Sequence, residues 1–322
     1  MICPLSMGSA VGALELRRSV AAGGSFEGVE PLEPQEAFTS RVDVVCGLFL
    51  MTRGFCSGRL LRASAWLAGP IEAREAAERL TGTMPTLEAA GCRVKLGMTT
   101  GCNDVFLGTP EGLRVERDLL VPAVDISDLA LGELVWRGRC VIDTHRSDGT
   151  PRWRSEYPNL YRHLWSMKQR LSERSTVRNG RSWRLTHSRM DHALAGAAKL
   201  LVPETSRRAR VVLDPGGHMP LNSVHAITSH RWPLQPLRAL LASAGIGLQA
   251  LALSLKRSGG HLRLNATGLR RVRIPIWEAL PQADARALLS GDRSQAAEAA
   301  ARIYGLADGL LRRCAAVGWD SV

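Results

Sequence analysis

Between Arg137 and Arg210 the chain carries seventeen Lys or Arg residues against six Asp or Glu. Almost the whole formal net charge of +12 therefore sits in one quarter of the 322 residues. Interleaved with the cations are six aromatic residues, Trp136, Trp153, Tyr157, Tyr161, Trp165 and Trp183. Guanidinium groups pair with phosphate or guanine edges, and rings stack on unpaired bases, so the mixture suits a polyanion that carries bases. An Arg-heavy composition, with only four Lys in the chain, would raise basic counts everywhere and would not concentrate them.

With 45% hydrophobic residues the chain can bury a real core and has the length for two domains. No run of 18 uncharged apolar residues occurs, and no basic stretch precedes the apolar opening, so the sequence supports neither a membrane span nor a secretory signal. A cytoplasmic location and no membrane partner are expected. The seven cysteines are widely spread with no C-x-x-C pair, which predicts reduced thiols and no metal site.

The pattern along the chain predicts an α+β protein. Ile2 to Leu5, a helix over 10–22 and the apolar run 41–54 read as the remnant of an α/β sheet; three such elements are too few for a doubly wound sheet. A helix is predicted over 59–80 and mostly strands over 91–142. "KLGMTTGCNDVFLG", Lys95 to Gly108, reads as a hairpin with Asn103 at its tip, because Gly and Asn tolerate positive φ. A basic helix over 160–174, opened by Pro158-Asn159, is followed by strands in "AAKLLVPE" and "RRARVVLDPGGHMPLNSVHAIT". The 233–256 stretch is mostly helix, "RVRIPIW" a strand, and 284–316 an amphipathic helical tail split near Gly291.

Several short motifs suggest chemistry and fail on context. Gly245-Ile246-Gly247-Leu248-Gln249-Ala250 fits a loose dinucleotide fingerprint, yet a helix precedes it and no acidic residue follows until Glu278. Asp214-Pro215-Gly216-Gly217 lacks the second Pro and the aromatic of a base-flipping methyltransferase loop, which leaves a β-turn. The eight histidines show no H-x-x-x-H spacing, and Asp191 and His192, as sequence neighbours, point apart. No catalytic or metal-binding residue is assigned.

Gly97-Met98-Thr99-Thr100-Gly101-Cys102-Asn103-Asp104-Val105-Phe106 resembles the entry to the target-recognition domain of TaqI-type adenine-N6 DNA methyltransferases, where a G-x-x-T-G-x-N-x-x-F pattern recurs. Successive segments extend the likeness over roughly Gly91 to Trp277: "LVWRGRCVID", "YPNLYRHLWSMKQRLSER", "RSWRL", "AKLLVPE", "LDPGG" and "GGHLRLNATGLRRVRIPI". The resemblance implies four parts: terminal elements of a methyltransferase-like domain (1–56), a helical linker (57–90), a DNA target-recognition domain (91–280) and a helical tail (281–322). The Gly-rich S-adenosylmethionine loop and the Asn-Pro-Pro-aromatic loop of the family are absent from the sequence. No cofactor is therefore expected on this chain; S-adenosylmethionine would belong to a catalytic domain elsewhere or to a separate catalytic chain.

Duplex DNA is the partner that both the charge map and the resemblance imply. Asn103, Arg152, Arg154, Arg178, Arg181 and Arg184 are the candidate contacts, from polar loops of the basic segment and the expected hairpin tip. Arg170 and Arg174 fit DNA contact or a solvated helix face equally, whereas Trp165 and Trp183 are expected in the core. Three readings stay open at this level: the recognition portion of a site-specific adenine methyltransferase, a divergent methyltransferase, and a DNA-binding remnant without activity.

Overall fold

The computed structural model describes residues 2–4, 25–32, 46–52, 79–80, 82–130, 132–146, 148–152, 154–206, 210–253, 255–257 and 261–306. The helix expected over 10–22, most of that over 59–80 and the tail beyond 306 lie outside these residues. The architecture is mixed α+β, and the chain forms two compact units. One comprises 1–92, 204–209 and 230–322, and the other comprises 93–203 and 210–229. The 91–280 span set by the resemblance thus contributes to both.

The first unit opens with an antiparallel sheet of β1 (Ile2–Pro4), β2 (Ser25–Leu32) and β3 (Cys46–Thr52), in the order β1-β3-β2. The apolar run expected as a buried strand supplies the central β3. The partner β2 was not foreseen, because its sequence, "SFEGVEPL", contains Gly and Pro and bends at a register shift between Phe26 and Gly28.

The second unit begins within β4 (Cys92–Leu96), at Arg93, and this strand joins a sheet with strands from more than a hundred residues downstream. A one-turn helix α1 (Asn103–Phe106) leads into β5 (Leu107–Gly108), and a second, α2 (Pro110–Leu113), is capped by the Thr109 hydroxyl. Next come β6 (Leu120–Val124), the small hairpin of β7 (Leu129–Ala130) and β8 (Glu133–Leu134), and β9 (Cys140–Ile142). The basic segment supplies α3 (Pro158–Ser166), α4 (Lys168–Ser172) and α5 (Ser175–Arg178), before α6 (His192–Gly196) and β10 (Lys199–Pro203). A short excursion, β11 (Thr205–Ser206), belongs to the first unit. The chain then returns for β12 (Val212–Asp214), β13 (Met219–Pro220) and β14 (Val224–Ser229).

Two four-stranded sheets result, ordered β12-β10-β14-β4 and β13-β6-β9-β5. Their apolar faces share a core that includes Val124, Val141, Leu201, Val212 and Ala226. The expected "AAKLLVPE" strand is β10, buried at all five positions because a nearly continuous apolar run suits a central strand. A second core, around Phe106, Leu119, Ile142, Leu160, Leu164 and Leu171, seats the basic helices.

The Lys95–Gly108 stretch is not a hairpin. β4 pairs beside β14 whereas β5 pairs with β9, so the two strands diverge into different sheets. Gly97 passes so close to Leu221 that a Cβ would lie 2.0 Å from its carbonyl oxygen. The local signal was real, since Gly101 takes φ +79°; the strands' partners lie too far along the chain for that signal to specify.

The remaining elements of the first unit are mostly helical: α7 (Leu234–Leu241), α8 (Ala244–Leu253), α9 (Ala266–Arg271), α10 (Gln282–Leu289) and α11 (Arg293–Tyr304). The tail divides at Gly291 as expected, at φ +76°. Gly245 of the dinucleotide-like motif lies inside α8, where a Cβ would sit 2.1 Å from the ring of buried Tyr304. That glycine admits a packed ring, not a cofactor. The strand expected in "RVRIPIW" is reduced to a single bridge between Thr86 and Arg273, with Gln249 bonding the backbone of Arg273 on both sides. Pro275 has no N–H to extend a ladder.

Candidate nucleic-acid interface

Helix α3 is built to display one face of the basic segment. Pro158 occupies its first turn, and the Glu116 carboxylate accepts from the Asn159 and Leu160 amides at 2.7 and 2.9 Å. A carboxylate at a helix start satisfies donors that the helix cannot. Leu160 and Leu164 point into the core, while Tyr161 and Trp165, four residues apart, fall on the outer face.

The expectation that Trp165 is core is wrong. It is 53% exposed, because the inward positions of α3 belong to the two leucines and α4 starts afresh after Met167. Trp183 is half-buried against the second core, in part as expected. Trp165 stacks near-parallel to Tyr161, with ring centroids 6.2 Å apart, and meets Trp183 edge-on at 6.0 Å.

Cations are set over these rings. Arg154 lies 5.1 Å and Arg184 5.0 Å from the Tyr161 centroid, and Arg184 also lies 5.2 Å from Trp183. The Lys168 ammonium lies 4.5 Å from the Trp165 centroid. A ring holds a cation without neutralising it. Of the ten Lys and Arg residues from Arg152 to Arg189, only Arg152 and Arg170 reach a carboxylate among the described residues. Apart from Arg174, whose guanidinium is taken up by backbone carbonyls, the rest keep their charge available to an outside anion.

The candidate contacts divide by environment. Arg154 and Arg184 belong to the ring cluster, Arg178 is exposed at the end of α5, and Arg181 is exposed while donating to the His187 carbonyl at 2.7 Å. Arg152 sits apart. Its Nη2 donates to Asp143 Oδ2 at 2.8 Å, its Nε to the Asp143 carbonyl and its Nη1 to the Tyr157 hydroxyl, beside a carboxylate only 2% exposed. His192 Nε2 reaches that same carboxylate at 3.0 Å, so the histidine's partner is Asp143 and not its neighbour Asp191.

Asn103 is exposed at the start of α1, its Oδ1 accepting from the Thr100 hydroxyl at 2.6 Å. Around it the Thr-Thr-Gly turn carries the arginine-rich loop: the His187 and Ser188 amides donate to the Thr100 and Thr99 carbonyls. Arg174 staples the same loop from below, donating to the carbonyls of Leu171, Trp183 and Leu185. Of the two helix-face arginines, Arg174 is therefore structural and Arg170 pairs with Asp104.

No described group of His, Cys, Asp and Glu could hold a metal ion. Among the described residues no helix is long and apolar enough to cross a membrane.

Across three quarters of its length this chain is homologous to type II methyltransferases. It is 35% identical over 249 residues to the type II methyltransferase M.PaeR7I of Pseudomonas aeruginosa, spanning 76% of this chain and 43% of that protein. It is 32% identical over 255 residues to M.XhoI of Xanthomonas vasicola, spanning 78% and 47%. The chain thus spans less than half the length of these relatives. Its fold is similar to that of the type IIL restriction-modification enzyme MmeI, solved in complex with DNA, with a TM-score of 0.57 at 12% identity over 99% of this chain and 49% of that one. No protein-family model matches the sequence.

Proposed function

We propose that this chain is the DNA sequence-recognition portion of a site-specific adenine-N6 DNA methyltransferase of the restriction-modification kind. It binds duplex DNA and presents adenine to a catalytic domain that its sequence does not contain. One observation carries the reading: most cations between Arg152 and Arg189 are held by rings, carbonyls or solvent, and not by carboxylates. Charge left unneutralised on a built surface calls for a polyanion. Homology to type II methyltransferases supports DNA as that polyanion. The adenine and the TaqI-type assignment rest on the Gly97–Phe106 motif and the order of the segments after it.

In this reading Arg154, Arg178, Arg181 and Arg184 contact phosphates or base edges, and Asn103 contributes from the adjoining turn. Arg152 supports the site from beneath. S-adenosylmethionine belongs to the catalytic part, because neither loop that would hold it and the target base is present.

Fluorescence anisotropy of a labelled duplex, titrated with the full chain at increasing salt, tests the reading. Log affinity should fall steeply with log salt, by about 0.9 per phosphate contacted. Flat affinity, or none at low salt, contradicts it. Equilibrium dialysis with S-adenosylmethionine should show no stoichiometric binding; saturable binding would favour a divergent methyltransferase instead.

A further inference from the structure

From the placement of Trp165 we infer that the ring cluster of α3 is a stacking platform for one unpaired DNA base beside the duplex, with Trp165 the residue that meets it. The inference rests on the DNA-recognition reading and deepens it. Trp165 belongs to neither hydrophobic core and is 53% exposed, although an indole is among the most favourable side chains to bury. An exposed indole set against the partly buried rings of Tyr161 and Trp183 marks an interaction site.

The surroundings select the occupant. The patch is rimmed by Arg154, Lys168 and Arg184, none paired with a carboxylate among the described residues, which suits an anionic occupant. Every nucleobase offers a face for stacking and every nucleotide a phosphate for the cations. Within an intact duplex, however, the faces of each base are covered by its neighbours, and the grooves expose only edges. A ring face gains a base only where one has left the stack. An enzyme that acts on a base within DNA creates that situation by turning the base out of the helix.

The arrangement is also held in advance. Tyr161 backs Trp165 at an interplanar angle of 17°, and Trp183 fixes its edge at 62°. Trp183 is in turn held by the Arg174 bond to its carbonyl at 2.7 Å.

The test compares two labelled duplexes of one sequence, one fully paired and one carrying a single unpaired 2-aminopurine, each titrated with the full chain. The second should bind about five- to a hundredfold tighter, the range set by one base–aromatic stack, and its 2-aminopurine emission should be quenched. Trp165→Ala should abolish the preference and the quenching, bringing the two duplexes to equal affinity. Trp165→Phe, which keeps a ring, should retain part of both. Equal affinity for the two duplexes, or a preference that survives Trp165→Ala, overturns the inference and leaves duplex binding standing. Failure to bind either duplex at low salt overturns the DNA reading itself.

Discussion

Lys199 Nζ lies 2.7 Å from Asp214 Oδ2, and neither side chain has any exposed surface. The lysine also donates to the carbonyls of Ala195 and Ala197, while the other carboxylate oxygen accepts from the Gly216 amide and meets His218 Nδ1 at 3.0 Å. This pair locks β10 to β12 and shapes the Asp-Pro-Gly-Gly turn, which is therefore structural. Lys199→Met, leaving a buried carboxylate without its lysine, should lower stability by about 3–5 kcal/mol in urea unfolding. Adding Asp214→Asn, which removes the charge but keeps an acceptor for Gly216, should recover much of that loss.

Arg152 and Arg154 separate support from contact. Arg152→Ala takes the guanidinium from the buried Asp143 carboxylate, leaving it His192 and the His145 amide, and should cost about 3 kcal/mol of stability. Arg154→Ala removes an exposed guanidinium whose contact among the described residues is the Tyr161 ring, and should change stability by under about 0.5 kcal/mol. Duplex affinity should respond in the opposite order when both variants are measured below their unfolding transitions.

The difference between those two arginines was not legible in the sequence, where they are near neighbours in one polar stretch. Which of them turns inward depends on Asp143, a residue on the far side of a loop. The same limit explains the false hairpin: Gly101 and Asn103 signalled a turn correctly, but the partners of β4 and β5 are set by contacts across the unit. Continuous apolar runs were legible, so β3, β10 and α7 appeared where expected. Trp165 was misplaced because average burial of its residue type took precedence over helical phase. Leu160 and Leu164 already mark the inward face of α3, which sets Tyr161 and Trp165 outside.

Acid should destabilise the fold in two steps. Burial holds the His145 imidazole below its ordinary value; Asp143 opposes this, and Arg189 and Arg152 reinforce it. The unfolded chain then takes up a proton near pH 6.5 that the folded chain refuses, so stability is full above that pH and falls as pH drops toward the folded value. A second loss follows below about pH 4. Burial raises the carboxyls of Asp125 and Asp191, but hydrogen bonds and the charges of Arg139 and Lys95 bring both below the usual range. Urea midpoints measured from pH 8 to 3 should show both steps, and His145→Asn should remove the first.

Gly245→Ala should destabilise the first unit by about 1–3 kcal/mol, because the added methyl meets the buried Tyr304 ring. Pairing it with Tyr304→Ala should remove most of that clash penalty, although the tyrosine truncation carries its own cost. Thermal unfolding of the single and double variants measures the coupling.

The most direct test of the central claim is the salt slope of duplex binding, compared between the full chain and an Arg154→Gln, Arg184→Gln double variant. If the ring-held arginines meet phosphates, the slope of log affinity against log salt should become shallower by about two units, near 0.9 for each contact removed. An unchanged slope would contradict the account, because it would leave the cations over Tyr161 with no part in holding DNA.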